Sequence, residues 1–319
     1  MPLNKLFLPT SSLAIYSDLH LEHSGISLCP PPDSTIVLLG DILAGGGSFS
    51  VVDWLERQPW AKGRNIIIVP GNHEYEYQDL QETLYDLKIL TKPFGWHVLH
   101  DEWLEIETPE GSFRIFGSPW YPSFDGWSTH AESLSNLVSG YSLEDMANQE
   151  KALEALDRFL SGCIHDFRAC KDNGNWSVFK LRERHNEAKK VLLEGLEQSF
   201  EGPTLALTHW GPTAYTTEVY SHSPKNLYFQ NKDEDVLKKV NLWLHGHQHE
   251  TLFYQCGNEE EKGWAATNPR GVSALLDLSS NPFFMKEGLS WSLRGGLLPN
   301  SKLKSGRWGD SGPKYSTFK

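Results

Sequence analysis

Three short runs, residues 13–17, 35–39 and 65–69, restrict the fold of this chain more than any other feature. Each is apolar almost throughout and rich in Ile, Val and Leu, with no polar alternation. A strand with one wet face alternates. A continuous apolar run fits a strand covered on both faces, as in an α/β sheet. Helix-like spacing over residues 48–58 and 77–90 places helices after the second and third runs, so the first third reads βαβαβ. Within one sheet that pattern requires right-handed crossovers. Residues 203–207 and 240–244 resume the same kind of strand. A polar island follows each run: Asp18-Leu19-His20, Gly40-Asp41, Gly71-Asn72-His73-Glu74, His209, and Gly246-His247-Gln248-His249. Ligands of such sheets gather at the carboxyl ends of strands, where all five islands fall.

The islands hold carboxylates, imidazoles and one carboxamide, a donor set suited to Mn, Fe, Zn or Ni. Side chains repeat every two residues along an extended segment, so Asp18-x-His20 and His247-x-His249 each put two donors on one side. Gly246 allows a tight turn before the second pair. Asp41 has two carboxylate oxygens and is the candidate bridge between two ions. Singly these signals are commonplace. An Asp-x-His arises by chance, a Gly-Asp is often only a turn, and a lone His such as His209 is more often structural. All five in order, each at a strand end, are a different matter.

Residues 95–117 hold shorter strands, and residues 123–176 are irregular and partly helical. Helices are expected over 143–160 and 177–199. In the latter Leu181, His185, Ala188, Leu192 and Leu196 form one apolar stripe. The region of about 120–200 thus reads as a helical insertion forming a cap or side wall. Residues 252–255 and 264–267 flank a polar turn and read as a hairpin, and residues 274–278 as a last strand. Residues 1–279 form one domain in this reading. Residues 280–319 form a Gly/Ser-rich extension with 7 Lys/Arg against 2 Asp/Glu, and are expected to wrap the surface.

The 319 residues carry a net charge of −12, which argues against nucleic acid and acidic membranes as partners. Cys29, Cys163, Cys170 and Cys256 contain no C-x-x-C pair, so free thiols in a reducing compartment are expected. No signal peptide is visible, and no run approaches the ~18 apolar residues of a membrane span. A cytoplasmic location follows by default.

The ordered set D-x-H, G-D, G-N-H-E, a His after a strand, and G-H-x-H, spread over residues 18–249, resembles the calcineurin-like metallophosphoesterase family. The wider strings Ser17-Asp-Leu-His-Leu-Glu22, Pro70-Gly-Asn-His-Glu74, Leu244-His-Gly-His-Gln-His249 and Asn268-Pro-Arg-Gly271 add to the likeness and point to a bacterial-type branch. The resemblance implies an α/β fold, a four-layer α/β/β/α sandwich with a helical insertion. It implies two divalent ions among Mn, Fe, Zn, Ni and Co. Asp18, His20, Asp41 and His249 would hold the first, and Asp41, Asn72, His209 and His247 the second. The implied reaction is hydrolysis of phosphate mono- or diesters by in-line attack of a metal-bridging hydroxide, with His73 as general acid. The expected partner is a small or medium phosphorylated substrate. A catalytically silent, metal-stabilised binding scaffold is the alternative.

Two positions depart from the family pattern. Many members have an Asp three residues after the bridging Asp, orienting the His of G-N-H-E; here that position is Ala44. Relatives often have a second His after the strand-end His, where this chain has Trp210, a candidate apolar wall. Arg168, His185 and Arg270 are candidate substrate contacts, and Trp120, Tyr121 and Trp127 a candidate aromatic lip. His245, just before G-H-x-H, is expected to be structural or to support a ligand from behind.

Overall fold

The computed structural model describes residues 4–23, 28–45, 47–213, 223–249, 252–257, 262–267, 274–277 and 290–293. The strands are β1 (Asn4–Phe7), β2 (Ser12–Tyr16), β3 (Thr35–Leu39), β4 (Ile66–Val69), β5 (His97–Val98), β6 (Glu102–Thr108), β7 (Gly111–Ser118), β8 (Thr204–Thr208), β9 (Leu242–His245), β10 (Leu252–Gly257), β11 (Lys262–Thr267), β12 (Ala274–Asp277) and β13 (Ser290–Leu293). The helices are α1 (Gly47–Glu56), α2 (Leu80–Thr91), α3 (Ala131–Leu137), α4 (Gln149–Cys163), α5 (Asp166–Ala169), α6 (Val178–Leu196), α7 (Asn226–Phe229) and α8 (Glu234–Leu237).

These strands form two sheets, ordered β13-β12-β2-β3-β4-β5 and β1-β6-β7-β8-β9-β11-β10. In the first, β2 to β5 run parallel in sequence order; in the second, β7, β8, β9 and β11 are parallel. The period of two along each strand sorts its side chains between layers. Leu13, Ile15, Val37, Leu39, Ile67 and Val69 of the first sheet meet Ile115, Leu205, Leu207, Leu242 and Leu244 of the second in one core. On the outer face of the first sheet Ala14, Tyr16, Ile36, Leu38, Ile66 and Ile68 pack under Val51, Val52 and Leu55 of α1 and Leu87 of α2. On the outer face of the second, Phe116, Ala206, Trp243 and Ala265 pack against Ala188 and Leu192 of α6 and Val236 and Leu237 of α8. The result is an α/β/β/α sandwich. Both faces of β2, β3, β4, β8 and β9 are covered, which explains their unbroken apolar runs. Each such fully buried aliphatic side chain contributes about 1.5–3 kcal/mol relative to exposure.

Helices α3 to α6 lie between the parallel strands β7 and β8. Side-chain caps set where three helices begin. Asp79 accepts from the Gln81 N–H, Asn148 from Lys151 and Ser177 from Lys180. The expected stripe on α6 faces inward, with Leu181, His185, Ala188 and Leu192 buried.

Two strands were not expected from the sequence. β1 pairs in parallel with β6, and β13, inside the segment read as an extension, pairs antiparallel with β12. Both are edge strands of four residues, too short for a pattern to show. Among the described residues no helix is long and apolar enough to cross a membrane.

Candidate metal centre

The carboxyl ends of β2, β3 and β4 face those of β8 and β9, and every island lies on that shared edge. The chain must turn sharply there to aim side chains across the gap. Asp18 (φ 51°), His20 (φ 45°), Asp41 (φ 53°), His247 (φ 66°) and His249 (φ 52°) all adopt left-handed backbone. Such a concentration of strained non-glycine residues is typical of functional sites. Gly40 (φ 79°) and Gly71 let the β3 and β4 turns touch. A Cβ on Gly71 would stand 2.7 Å from the Asp41 amide nitrogen and 2.8 Å from His209 Cε1. Glu74, fully buried, ties these turns together. Its Oε2 accepts from the Gly71 and Asp41 N–H groups at 2.7 and 2.9 Å, and its Oε1 from Ile42 at 2.8 Å. The Glu of the G-N-H-E island is therefore a backbone clamp and not a ligand. Gly71→Ala is expected to drive the two turns apart. Bound metal per chain should fall below half of the wild-type value while the secondary structure by circular dichroism stays; unchanged metal content would contradict the close approach.

Three groups of donors converge; His20, Glu22 and His73 form one, and the other two share a residue. Asp18, His20, Asp41 and His249 each bring one ligand atom within 4.8 Å of the others, and so do Asp41, His209 and His247. Asp41 belongs to both. Its Oδ1 lies 3.3 Å from His209 Nε2, and its Oδ2 lies 3.8 Å from His20 Nε2. Asn72 joins the second group, with Oδ1 3.0 Å from His209 Nε2.

The donor chemistry fits a cation. His209 Nδ1 donates to the Leu39 carbonyl at 2.7 Å, so a neutral ring turns the Nε2 lone pair toward the Asp41 and Asn72 oxygens. Three acceptors face one another unless a positive charge sits among them. His20 Nε2 and His249 Nε2 likewise meet at 3.0 Å. Both ring nitrogens of His247 are buried without a hydrogen-bond partner. Its ring is boxed by Trp210 at 4.7 Å, Phe229 at 5.1 Å and Tyr228 at 5.5 Å. Burial pushes the His247 imidazole well below its ordinary pKa, which keeps it neutral and able to ligate. Burial opposes charge on Asp18 too, but His249 and His209 outweigh it and bring that carboxyl down to about 2.

Burial also disfavours charge on His209, but Asp41, Asp18 and the Leu39 carbonyl outweigh it and raise the ring to about 9. A proton thus takes the cation's place in the metal-free protein. With a folded pKa above the ordinary 6.5, the imidazolium stabilises the fold fully below 6.5, and this contribution disappears as pH rises through about 9. Metal binding must displace that proton. Calorimetric metal titrations at about pH 7.5 are expected to show heats that depend on buffer ionisation, and the apparent affinity should rise with pH up to about 9. Heats independent of the buffer would sink this assignment.

His73 stands beside the pair, with its backbone N–H on Asp41 Oδ1 at 3.0 Å and Nε2 3.8 Å from Asp41 Oδ2. Its Nδ1 faces away from the centre, 3.5 Å from Glu22 Oε1 and 3.7 Å from Glu76 Oε1. Burial again opposes charge, but Asp41, Glu22, Asp166 and Glu76 together raise His73 to about 10.

The insertion reaches the site through a residue other than the expected one. Arg168 points outward from α5, and its Nη1 faces the Gly162 carbonyl at 3.4 Å. Asp166, two residues before it, is buried and accepts from Asn72 Nδ2 at 3.0 Å and from the Tyr228 hydroxyl at 2.5 Å. It turns the carboxamide so that Oδ1 faces His209. A helix of four residues has no periodicity from which its inner face could be read. His185 lies behind the site wall, fully buried. Its Nδ1 donates to the Tyr121 carbonyl at 2.7 Å, and its Nε2 lies 3.5 Å from Asp233. Both nitrogens are engaged by the protein, so it packs the core and does not meet substrate. Trp120 and Tyr121 are likewise core residues and not a lip. Arg270 lies outside the described residues. His245 bonds the Tyr254 hydroxyl at 2.9 Å, and burial lowers it to about 4, a neutral structural histidine. Trp210 is the apolar wall expected of it, fully buried with its indole N–H on the Tyr228 carbonyl at 3.0 Å.

A family model described as calcineurin-like phosphoesterase matches residues 13–251, which include all seven candidate ligand positions. Among solved structures, phosphopantetheinyl hydrolase from Mycobacterium tuberculosis has a TM-score of 0.57 at 15% identity, covering 92% of this chain and 99% of that one. A protein described as a 5′-nucleotidase from Staphylococcus aureus, in complex with α-ketoglutarate, has a TM-score of 0.45 at 15% identity, covering 88% of this chain and 52% of that one. No curated protein matches the sequence.

Proposed function

This chain belongs to the calcineurin-like phosphoesterase family, and from that premise we propose a hydrolase of phosphate mono- or diesters that works with two divalent cations. The observation that carries the proposal is Asp41, one buried carboxylate whose two oxygens face two separate groups of ligands. When bound, two such cations would lower the pKa of a water between them and draw charge from phosphate oxygens. Asp18, His20, Asp41 and His249 would hold one, and Asp41, Asn72, His209 and His247 the other. The protein's own groups do the rest. Leu39 and Asp166 aim His209 and Asn72 at the centre. Trp210, Tyr228 and Phe229 keep water from the back of His247. His73 presents Nε2 at the edge of the centre, where its imidazolium donates a proton to the departing ester oxygen.

A small or medium phosphorylated substrate fits this site better than a nucleic acid, given the net charge of −12. Four free cysteines support a reducing, cytoplasmic setting. The test is turnover of para-nitrophenyl phosphate and bis-para-nitrophenyl phosphate by metal-free protein reconstituted in turn with Mn, Ni, Co, Zn and Fe. Chelator-sensitive release of nitrophenol from at least one ester is the expected result. Tight binding of two ions with no turnover of either ester would replace the hydrolase by a silent scaffold.

A further inference from the structure

We propose that Glu22 is a positioning residue shared by His20 and His73, and that it fills the place left open by Ala44. The inference rests on the reading of His20 as a ligand and His73 as the proton donor. Glu22 lies two residues beyond His20, in the turn after β2, and its side chain is 19% exposed. Oε1 lies 3.0 Å from His20 Nδ1, 3.5 Å from His73 Nδ1 and 3.7 Å from His23 Nε2. Oε2 accepts from the Ala44 N–H at 3.0 Å. A carboxylate only accepts, so the His20 contact selects the tautomer with its proton on Nδ1. That leaves the Nε2 lone pair facing His249 Nε2 and Asp41. A carboxylate behind a ligating histidine commonly fixes ring and tautomer in this way. The same oxygen is the nearest carboxylate to His73 Nδ1, which leaves Nε2 of that ring toward the centre. The two imidazoles stand edge to face at 4.5 Å, and Glu22 Oε1 faces the Nδ1 of each, at 3.0 Å for His20 and 3.5 Å for His73.

Ala44 explains why the acid comes from elsewhere. Its side chain offers no oxygen, but its backbone N–H holds Glu22 in place. The main chain at 44 therefore fixes the carboxylate that orients His73. Glu76, the other acid near Nδ1, is 3.7 Å away and also faces His165 at 4.0 Å.

The experiment compares wild type with Glu22→Ala and with Glu22→Gln, which keeps the side-chain volume while its carboxamide has one acceptor oxygen in place of two. In metal-free, 15N-histidine-labelled protein, nuclear magnetic resonance should show His20 with Nδ1 protonated in the wild type and a mixture of tautomers in Glu22→Ala. In metal titrations the affinity for one ion should fall about 10–100-fold in both variants, with the other ion retained. At saturating metal, a poor leaving group should lose about tenfold more rate than para-nitrophenyl phosphate. An unchanged His20 tautomer, unchanged affinity, or an unchanged ratio between the two esters would each overturn the shared role. So would a third bound ion that disappears with Glu22, since His20, Glu22 and His73 would then be its ligands. If wild type turns over no ester, the phosphoesterase reading alone falls, and the tautomer and affinity measurements still decide the role of Glu22.

Discussion

Asp41→Asn is expected to abolish turnover and to leave the protein with fewer than two ions per chain. The change is nearly isosteric, so the fold is not at issue. In the native site Oδ1 already accepts the His73 N–H at 3.0 Å and faces His209 at 3.3 Å, while Oδ2 faces His20 at 3.8 Å. An amide has one oxygen. If it keeps Oδ1, its NH2 group points at the first group of ligands; if it flips, the NH2 group points at the His73 N–H and at His209. Either orientation costs one ion a ligand and removes the charge the two would share. Partners behind a ligand are alone worth about 10–100-fold in affinity or activity, so loss of a shared ligand should exceed 100-fold. Elemental analysis and rates on the two nitrophenyl esters measure both effects. Two ions retained at an undiminished rate would remove Asp41 from the centre. A further sign is open to check without metal. His209 and His73 owe their raised pKa values largely to Asp41, so in the metal-free variant both should titrate nearer 6.5.

His73→Ala should act differently, because its ring lies beside the centre and not within either four-ligand set. Both ions should stay. Loss of a positioned proton donor typically costs about 10²–10⁴-fold, and the whole cost falls on esters whose alkoxide is too basic to leave unaided. Nitrophenol leaves readily as an anion, so its ester should be slowed far less. The dependence of rate on leaving-group pKa should steepen. Equal slowing across leaving groups, with metal content intact, would show that the ring aids binding or order and not proton transfer.

The parallel strands β2, β3 and β4 of the first sheet were legible in the sequence almost residue for residue. Leu13 to Tyr16, Thr35 to Leu39 and Ile66 to Val69 are apolar because each is covered on both faces. The stripe on α6 was equally plain, since a long helix has room to show its period. β1 and β13 were not legible. A four-residue edge strand takes its place from its neighbour's hydrogen bonds and not from its own composition. Arg168 shows the same limit at the site. The sequence offered a basic residue suited to phosphate, but docking of the short α5 turned Asp166 inward instead.

By itself the sequence determined which residues meet at the centre. Strand-end islands are local: the strand carries each donor to the edge, and the parallel order of β2, β3 and β4 brings donors from distant positions together. Only the tertiary structure decided how those donors are aimed. Glu22 behind His20 and His73, Asp166 behind Asn72, the Leu39 carbonyl behind His209 and the Glu74 clamp beneath Asp41 all come from turns or from other elements. Their contacts depend on distances of 2.7–3.5 Å, and all but that of Glu22 with His20 join residues more than 30 positions apart, which no spacing along the chain encodes. Ala44 therefore does not leave His73 without an acid partner, because Glu22 and Glu76 face it through space.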